Sequence, residues 1–338
     1  MGNVRTLREA NPPILSIVVP CFNEADGLLE LHRRVADACI AVVGNSYELV
    51  LVNDGSSDAT GALIAQLADA DTHVVGIDLA RNYGHQIALS AGLELCCGQR
   101  VLILDADLQD PPELLGPMMD AMNDGCDVVF GQRSTRDGEG WFKRSTAAAF
   151  YRVLNKLSDT CISLDSGDFR LMSRRAVDHL NAMPERYRFI RGMVSWIGLK
   201  QQAFPYDRDR RHAGKTHYSI KKMIMLAFDA ITSFSVLPLR LASHLGLLFG
   251  LLGIGTLAYT LLAWFRGEVL PGWTSIASII LILGSVQLLV LGIFGEYLGR
   301  MYMETKRRPL YVVSRIVGRS SQNEKRVKLQ HHRVVADA

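Results

Sequence analysis

The chain has 338 residues, 49% of them hydrophobic, with a mean hydropathy of +0.13 and a formal charge of +3. It is longer than one ordinary domain and too apolar for an intrinsically disordered or purely solvent-exposed protein. The small net charge hides an asymmetry: residues 1–206 carry 19 Lys and Arg against 26 Asp and Glu, a net −7, leaving +10 for residues 207–338.

Met1 to Pro13 is polar and lacks the apolar core of a secretory signal, so residues 1–13 read as an N-terminal tail. From Leu15 the chain alternates apolar runs with helical patterns. Strands are expected at Leu15–Pro20, Tyr47–Asn53, His73–Asp78, Val101–Asp105 and Asp127–Gly131, with helices starting near Asp26, Asp58, Tyr83 and Glu113. This order predicts an α/β fold with a mostly parallel sheet covered on both faces. Each strand is followed by polar residues: Pro20-Cys21-Phe22-Asn23-Glu24, then Asn53-Asp54-Gly55-Ser56-Ser57-Asp58, then Arg81-Asn82-Tyr83-Gly84. In such a sheet these loops share the carboxyl edge, where ligands bind.

Asp105-Ala106-Asp107 follows the fourth strand, and Leu108-Gln109-Asp110-Pro111-Pro112 comes next. Hard carboxylate oxygens at a strand edge suit Mg²⁺ or Mn²⁺ bridging to a diphosphate, with Asp110 a third candidate oxygen ligand. Glu24 and Asp54 are candidates for contacts to a base or ribose, and Phe22 for stacking. Taken singly, Asp54 and Asp58 also fit turn and cap roles. No G-x-G-x-x-G or P-loop signature is present, which disfavours a nicotinamide oxidoreductase or a P-loop NTPase. Beyond Gly131 a helix is expected over Phe142–Leu157, an extended run over Ser166–Leu171 and a further helix near Arg186–Trp196.

The six cysteines, Cys21, Cys39, Cys96, Cys97, Cys126 and Cys161, form no C-x-x-C pair and no zinc spacing, consistent with reduced, mostly buried thiols. Residues 219–231 form an amphipathic pattern suited to a membrane interface. Two uncharged runs follow, Leu241–Phe265 and Val269–Gly295. Each is long enough to cross the roughly 30 Å hydrocarbon core as a helix. Gly250, Gly253 and Gly255 lie in the first, where small residues aid helix packing. Basic residues flank the pair (Arg208, Arg210, Arg211, Lys215, Lys221 and Lys222 before, Arg300, Lys306, Arg307 and Arg308 after), which predicts both flanks in the cytoplasm. Anionic lipid is their expected partner; no nucleic-acid fold accompanies the basic residues.

As a set, Ser16–Glu24, Val52–Asp58, Arg81–His85, Asp105–Pro112, Gly131–Arg133 and Ser166–Leu171, with Arg307–Tyr311, resemble the polyprenyl-phosphate branch of the family 2 glycosyltransferases, which have the GT-A fold. The resemblance covers Leu15 to about Val313. It implies a Rossmann-like catalytic domain over 14–206, a basic acceptor loop with interface helices over 207–238, two transmembrane helices over 239–298 and a basic cytoplasmic tail over 299–338, in the inner (cytoplasmic) membrane. It implies nucleotide binding by Pro20, Phe22, Glu24, Asp54, Arg81 and Asp105, a Mg²⁺ or Mn²⁺ ion on Asp105, Asp107 and Gln109, and Asp168 as the catalytic aspartate. Arg133, Arg144 and Arg211 stand where relatives place arginines on acceptor or donor phosphates. His217 departs from a family G-x-S-K-Y pattern within Gly214–Tyr218.

The implied reaction is inverting transfer from a nucleotide sugar, with UDP-glucose the preferred donor, to a membrane polyprenyl phosphate. GDP-mannose and UDP-linked amino sugars are alternative donors, and a processive polysaccharide synthase or a catalytically silent scaffold are alternative functions. The synthase reading lacks a Q-x-x-R-W segment. A homo-oligomer is also expected, a tetramer among the arrangements, with Pro309–Val313 pairing as a strand with a neighbouring subunit.

Overall fold

The computed structural model describes residues 12–133, 166–207, 237–266 and 272–318. The expected helices at 142–157 and 219–231, and the residues Arg144, Arg211 and His217, lie outside the described residues. The described chain divides into a sheet unit, to which residues 308–318 return, and a helical unit within 221–307.

The sheet unit is built from eight strands: β1 Leu15–Cys21, β2 Tyr47–Asn53, β3 Val74–Leu79, β4 Arg100–Ile103, β5 Val128–Arg133, β6 Ser166–Ser173, β7 Gln201–Tyr206 and β8 Val313–Val317. They form one sheet in the order β7-β5-β6-β4-β1-β2-β3-β8. The pairs β4–β1, β1–β2, β2–β3 and β5–β7 are parallel, while β6 runs antiparallel to β4 and β5, and β8 antiparallel to β3. The expectation of a mostly parallel sheet therefore holds, with β6 and β8 as the two reversed strands.

Helices α1 Leu28–Val43, α2 Thr60–Ala70, α3 His85–Leu95 and α4 Leu115–Asn123 connect the parallel strands, and α5 Arg174–Ala182 and α6 Ile190–Ile197 join β6 to β7. β1 and β2 are buried at every position, as strands covered on both faces must be. Alternate β1 side chains Leu15, Ile17, Val19 and Cys21 enter one core with Leu28, Leu31, Val35 and Cys39 of α1, four residues spaced along one helix face. Val18 points to the other face, against α3 at Gly92. Asp58, expected to begin a helix, accepts from Thr60 N at 3.0 Å and so holds the start of α2. The helix expected at Glu113 begins as a short 3₁₀ turn, Pro112–Leu114, and becomes α4 at Leu115. The five described cysteines are free thiols, and burial pushes Cys39 up to about 12.

The helical unit holds α7 Leu237–Phe265 and α8 Trp273–Thr305. Both are long and apolar enough to cross a membrane. Along them Leu247, Leu251, Ile254, Leu257, Ile280 and Leu288 are exposed, a load of apolar surface that water does not tolerate but lipid does. Among the described residues, a side chain added at Gly250, Gly253 or Gly255 meets nothing within 4 Å. One expectation is corrected here. The C-terminal strand is Val313–Val317 rather than Pro309–Val313, and it pairs with β3 of its own chain, because Gly76 of β3 leaves room for the Val317 side chain.

Candidate active site

The register of the sheet brings the polar loops together. Cys21 lies opposite Asn53, and Asn53 opposite Asp78, so β1, β2 and β3 end side by side. β4 ends at the same edge, with Leu104 donating to Val18 O at 3.1 Å. Because β6 is antiparallel and pairs Arg170 with Ile103, its first residues run back past the end of β4. That reversal puts Asp168 beside Asp105, which no strand-by-strand reading of a parallel sheet would do.

The loops brace one another. Asp54 accepts from Tyr83 N at 2.7 Å through one oxygen and from Gly84 N at 2.9 Å through the other. Burial raises its pKa, opposed by these amides and by the charges of His85 and Arg81. Gly55 has φ +65°, and a Cβ there would stand 2.5 Å from Asn82 N, so the β2 and β3 loops touch through a position only glycine fits. Asn23 closes the third side, its Oδ1 accepting from Ser57 N at 2.9 Å while its own N–H donates to Ser56 Oγ at 3.0 Å. Glu24 is half-buried and its N–H donates to Thr60 Oγ1. Pro20 is buried in β1, whereas the Phe22 ring is 47% exposed. The guanidinium of Arg81 lies 4.1 Å over the Tyr83 ring.

Two carboxylates dominate the centre. Asp168, 5% exposed, receives Arg191 Nε at 2.8 Å on one oxygen and Arg191 Nη2 and Gln86 Nε2, each at 3.2 Å, on the other. His85 Nε2 stands 3.3 Å from Asp168 Oδ2 and 3.6 Å from Asp105 Oδ1. Burial would raise the pKa of Asp168, but Arg191 and His85 outweigh it and hold the group well below the carboxylate range. Asp105 goes the other way: burial, with the nearby charges of Asp168, Asp110 and Asp107, pushes it up to about 6 against the pull of His85. The His85 imidazole is raised, since its contact with Asp168 and the charge of Asp105 overcome burial. Burial lowers the Arg170 guanidinium to about 10, Asp168 acting against it.

Asp105 Oδ1 is buried with no hydrogen bond among the described residues. Asp107 is partly exposed and accepts from Gln109 N at 3.1 Å, which orients its carboxylate. Among the described residues no three His, Cys, Asp or Glu side chains converge as a ready-made metal cage. A cation bound by one or two carboxylates and completed by substrate phosphates needs none, and an orphaned carboxylate oxygen beside Asp107 and Gln109 fits that pattern. Asp110 is 1% exposed and its Oδ1 accepts from the Tyr206 hydroxyl at 2.5 Å, at the end of β7, while its charge is among those that raise Asp105. The backbone of Arg133 ends β5; its side chain lies outside the described residues.

Four residues without an assigned role enter the site: His85, Gln86, Arg170 and Arg191. His85 was visible within the Arg81–His85 motif, and a buried Asp168 calls for a cation, but three arginines compete in 186–191. The fold separates them. Arg188 donates to Met183 O and Leu180 O, Arg186 bonds Arg308 O, and only Arg191 reaches Asp168.

Residues 16–180 match the family model "Glycosyl transferase family 2", and residues 237–301 match "GtrB C-terminal hairpin". The uncharacterized glycosyltransferase YkcC of Bacillus subtilis is 43% identical over 94% of this chain and 97% of its own. A prophage bactoprenol glucosyl transferase homolog of Escherichia coli is 39% identical over 89% of this chain and 99% of its own, and the bactoprenol glucosyl transferase of Shigella phage SfX 38% identical over 88% and 98%.

Proposed function

The chain belongs to glycosyl transferase family 2, and from that premise we propose that it transfers a sugar from a nucleotide donor, UDP-glucose by preference, to the phosphate of a membrane polyprenyl lipid, with inversion. The full-length similarity to bactoprenol glucosyl transferases and the two apolar helices support the acceptor class. The observation that carries the site reading is the pairing of an orphaned Asp105 oxygen with a clamped Asp168, bridged by His85.

In this reading the acceptor phosphate oxygen forms a bond to the anomeric carbon as the bond from that carbon to the donor's β-phosphate oxygen breaks, and the nucleoside diphosphate leaves with the electron pair. Asp105, Asp107 and Gln109 would hold a divalent cation, whose chemistry is to neutralise charge on the departing diphosphate. Pro20, Phe22, Glu24, Asp54 and Arg81 form the nucleotide side, with Asp54 also bracing the loop it touches. Arg133, Arg144 and Arg211 bind the acceptor or donor phosphates, bidentate where geometry permits.

A phosphate monoester is already anionic near neutral pH, its second pKa being about 6, so it needs little help to attack. Asp168 suits that economy. Fully engaged by Arg191 and Gln86, and ionised far below neutrality, it is a poor base and a fixed negative charge. Its role is to orient the acceptor or to stabilise positive charge developing at the sugar carbon. The catalytic residues 14–206 and both termini lie on the cytoplasmic face in this reading, as the basic flanks of the helices support. The acceptor loop and interface helices span 207–238, the membrane helices 239–298 and the tail 299–338.

Incubation of the purified protein with Mg²⁺ or Mn²⁺, undecaprenyl phosphate and a panel of radiolabelled nucleotide sugars tests the proposal. Labelled lipid should form from UDP-glucose; folded protein that transfers none of the panel overturns it. Asp107→Asn should abolish metal-dependent transfer while the protein remains folded in the membrane, and full activity in that variant removes the metal assignment.

A further inference from the structure

The segment after α8 is described as far as residue 318. It lies beyond both matched family spans, which stop at residues 180 and 301, and it folds back onto the sheet unit. Tyr311 is buried and its hydroxyl donates to Glu94 on α3 at 2.9 Å. Ala80 N donates to Val312 O, and β8 continues as an antiparallel partner of β3. Gly76, opposite Val317, sits where a Cβ would meet the Val317 side chain at 2.6 Å, so β3 is shaped to receive this strand.

The seating of β8 reaches the ligand rim through a line of paired polar groups. Arg315 donates to Asp78 Oδ2 from Nε at 3.0 Å and lies at 2.9 Å through Nη2. The other oxygen, Asp78 Oδ1, accepts from Asn53 Nδ2 at 2.9 Å. Asn53 Oδ1 accepts from Ser56 N at 3.0 Å, and Ser56 Oγ accepts from Asn23 N. The Asn53–Asp78 pair is roofed by α2, where a Cβ on Gly61 would stand 2.7 Å from Asn53 Nδ2. Asn53 therefore has its amide fixed in one orientation: Asp78 takes the NH₂, and the carbonyl must face Ser56. Asp78 is 14% exposed, so without Arg315 a mostly buried carboxylate would face only one donor of this line, and its own position would loosen.

We propose that the strand beyond the second apolar helix is a positioning element of the nucleotide site, with Arg315 acting through Asp78 and Asn53 to hold the Asn53–Asp58 loop in its binding conformation. The inference rests on the reading of that loop as part of the nucleotide site. Arg315 touches no substrate in it and is a positioning residue. Its head is 57% exposed, so the pair is solvent-screened and the effect is graded rather than absolute.

Two measurements on the full-length protein in detergent test it. Arg315→Ala should raise KM for the nucleotide sugar about three- to fivefold with kcat and the lipid KM little changed, and Arg315→Lys, which keeps a cation at Asp78, should recover most of the loss. Amide hydrogen exchange at residues 54–58 should quicken in Arg315→Ala while residues 17–19 of β1 stay protected. Unchanged exchange at 54–58, or an effect confined to kcat, overturns the inference. Exchange of the unaltered protein with and without UDP separates this from the reading beneath it. If UDP leaves 54–58 unprotected, the loop is not the nucleotide site; if UDP protects the loop and Arg315→Ala alters neither its exchange nor KM, the positioning role alone falls.

Discussion

At the scale of residues, Asp168 and Asp105 show how position divides one chemistry in two. Both are aspartates at the same strand edge, yet Arg191 and His85 hold Asp168 ionised far below neutrality while burial pushes Asp105 up to about 6. Removing the clamp should separate binding from turnover. Arg191→Ala frees Asp168 to move and lowers kcat by about 10²-fold, as expected for a misplaced catalytic group, with a smaller change in the KM of the nucleotide sugar; steady-state kinetics on both substrates check the split. The pH dependence has a definite sign. The folded pKa of Asp168 lies below its unfolded value of about 3.9, so its contribution is present at neutral pH and is lost as pH falls through the folded pKa. Asp168→Asn should cost roughly 3 kcal/mol of stability near neutral pH, the cost growing as pH falls from about 8 to 5, where His85 gains its charge and Asp105 loses its own, and closing in strong acid. Urea melts at stepped pH measure it.

At the scale of elements, sequence and structure agree where a single rule suffices. β2 falls on Tyr47–Asn53 as expected, because the short apolar run Leu49–Val52, with its β-branched valines and the turn residues that follow, reads as a buried strand. Helix starts shift by two residues or so, since α2 begins where Asp58 hands the chain to Thr60, a side-chain bond that periodicity does not reveal. The reversal of β6 and the return of β8 are long-range choices of partner, and local patterning contains no term for them. Loop contact is equally non-local. Nothing around Gly55 in the sequence marks it as more than a turn glycine, yet the β3 loop rests on it. Gly55→Ala should cost about 1–3 kcal/mol through strain and displaced backbone, and raise KM for the nucleotide sugar more than that for the lipid; thermal unfolding and kinetics test the two parts.

At the scale of the molecule, composition already demanded lipid. Two uncharged runs, each flanked by basic residues, have no other economical solvent, and α7 and α8 carry their leucines and isoleucines exposed. The protein should remain in the membrane pellet after an alkaline carbonate wash; release into the supernatant would contradict the assignment. The sequence alone determined the alternation of strands and helices, the carboxylates of the Asp105-Ala106-Asp107 edge and the two apolar helices, because each is written in local periodicity and charge. Only the tertiary structure decided which arginine meets Asp168, that Asp110 turns inward to Tyr206, and that Arg315 comes home to Asp78 from beyond the last apolar helix. Those pairings join residues 23, 96 and 237 positions apart, and only the register and reversal of strands bring such distant side chains within bonding reach.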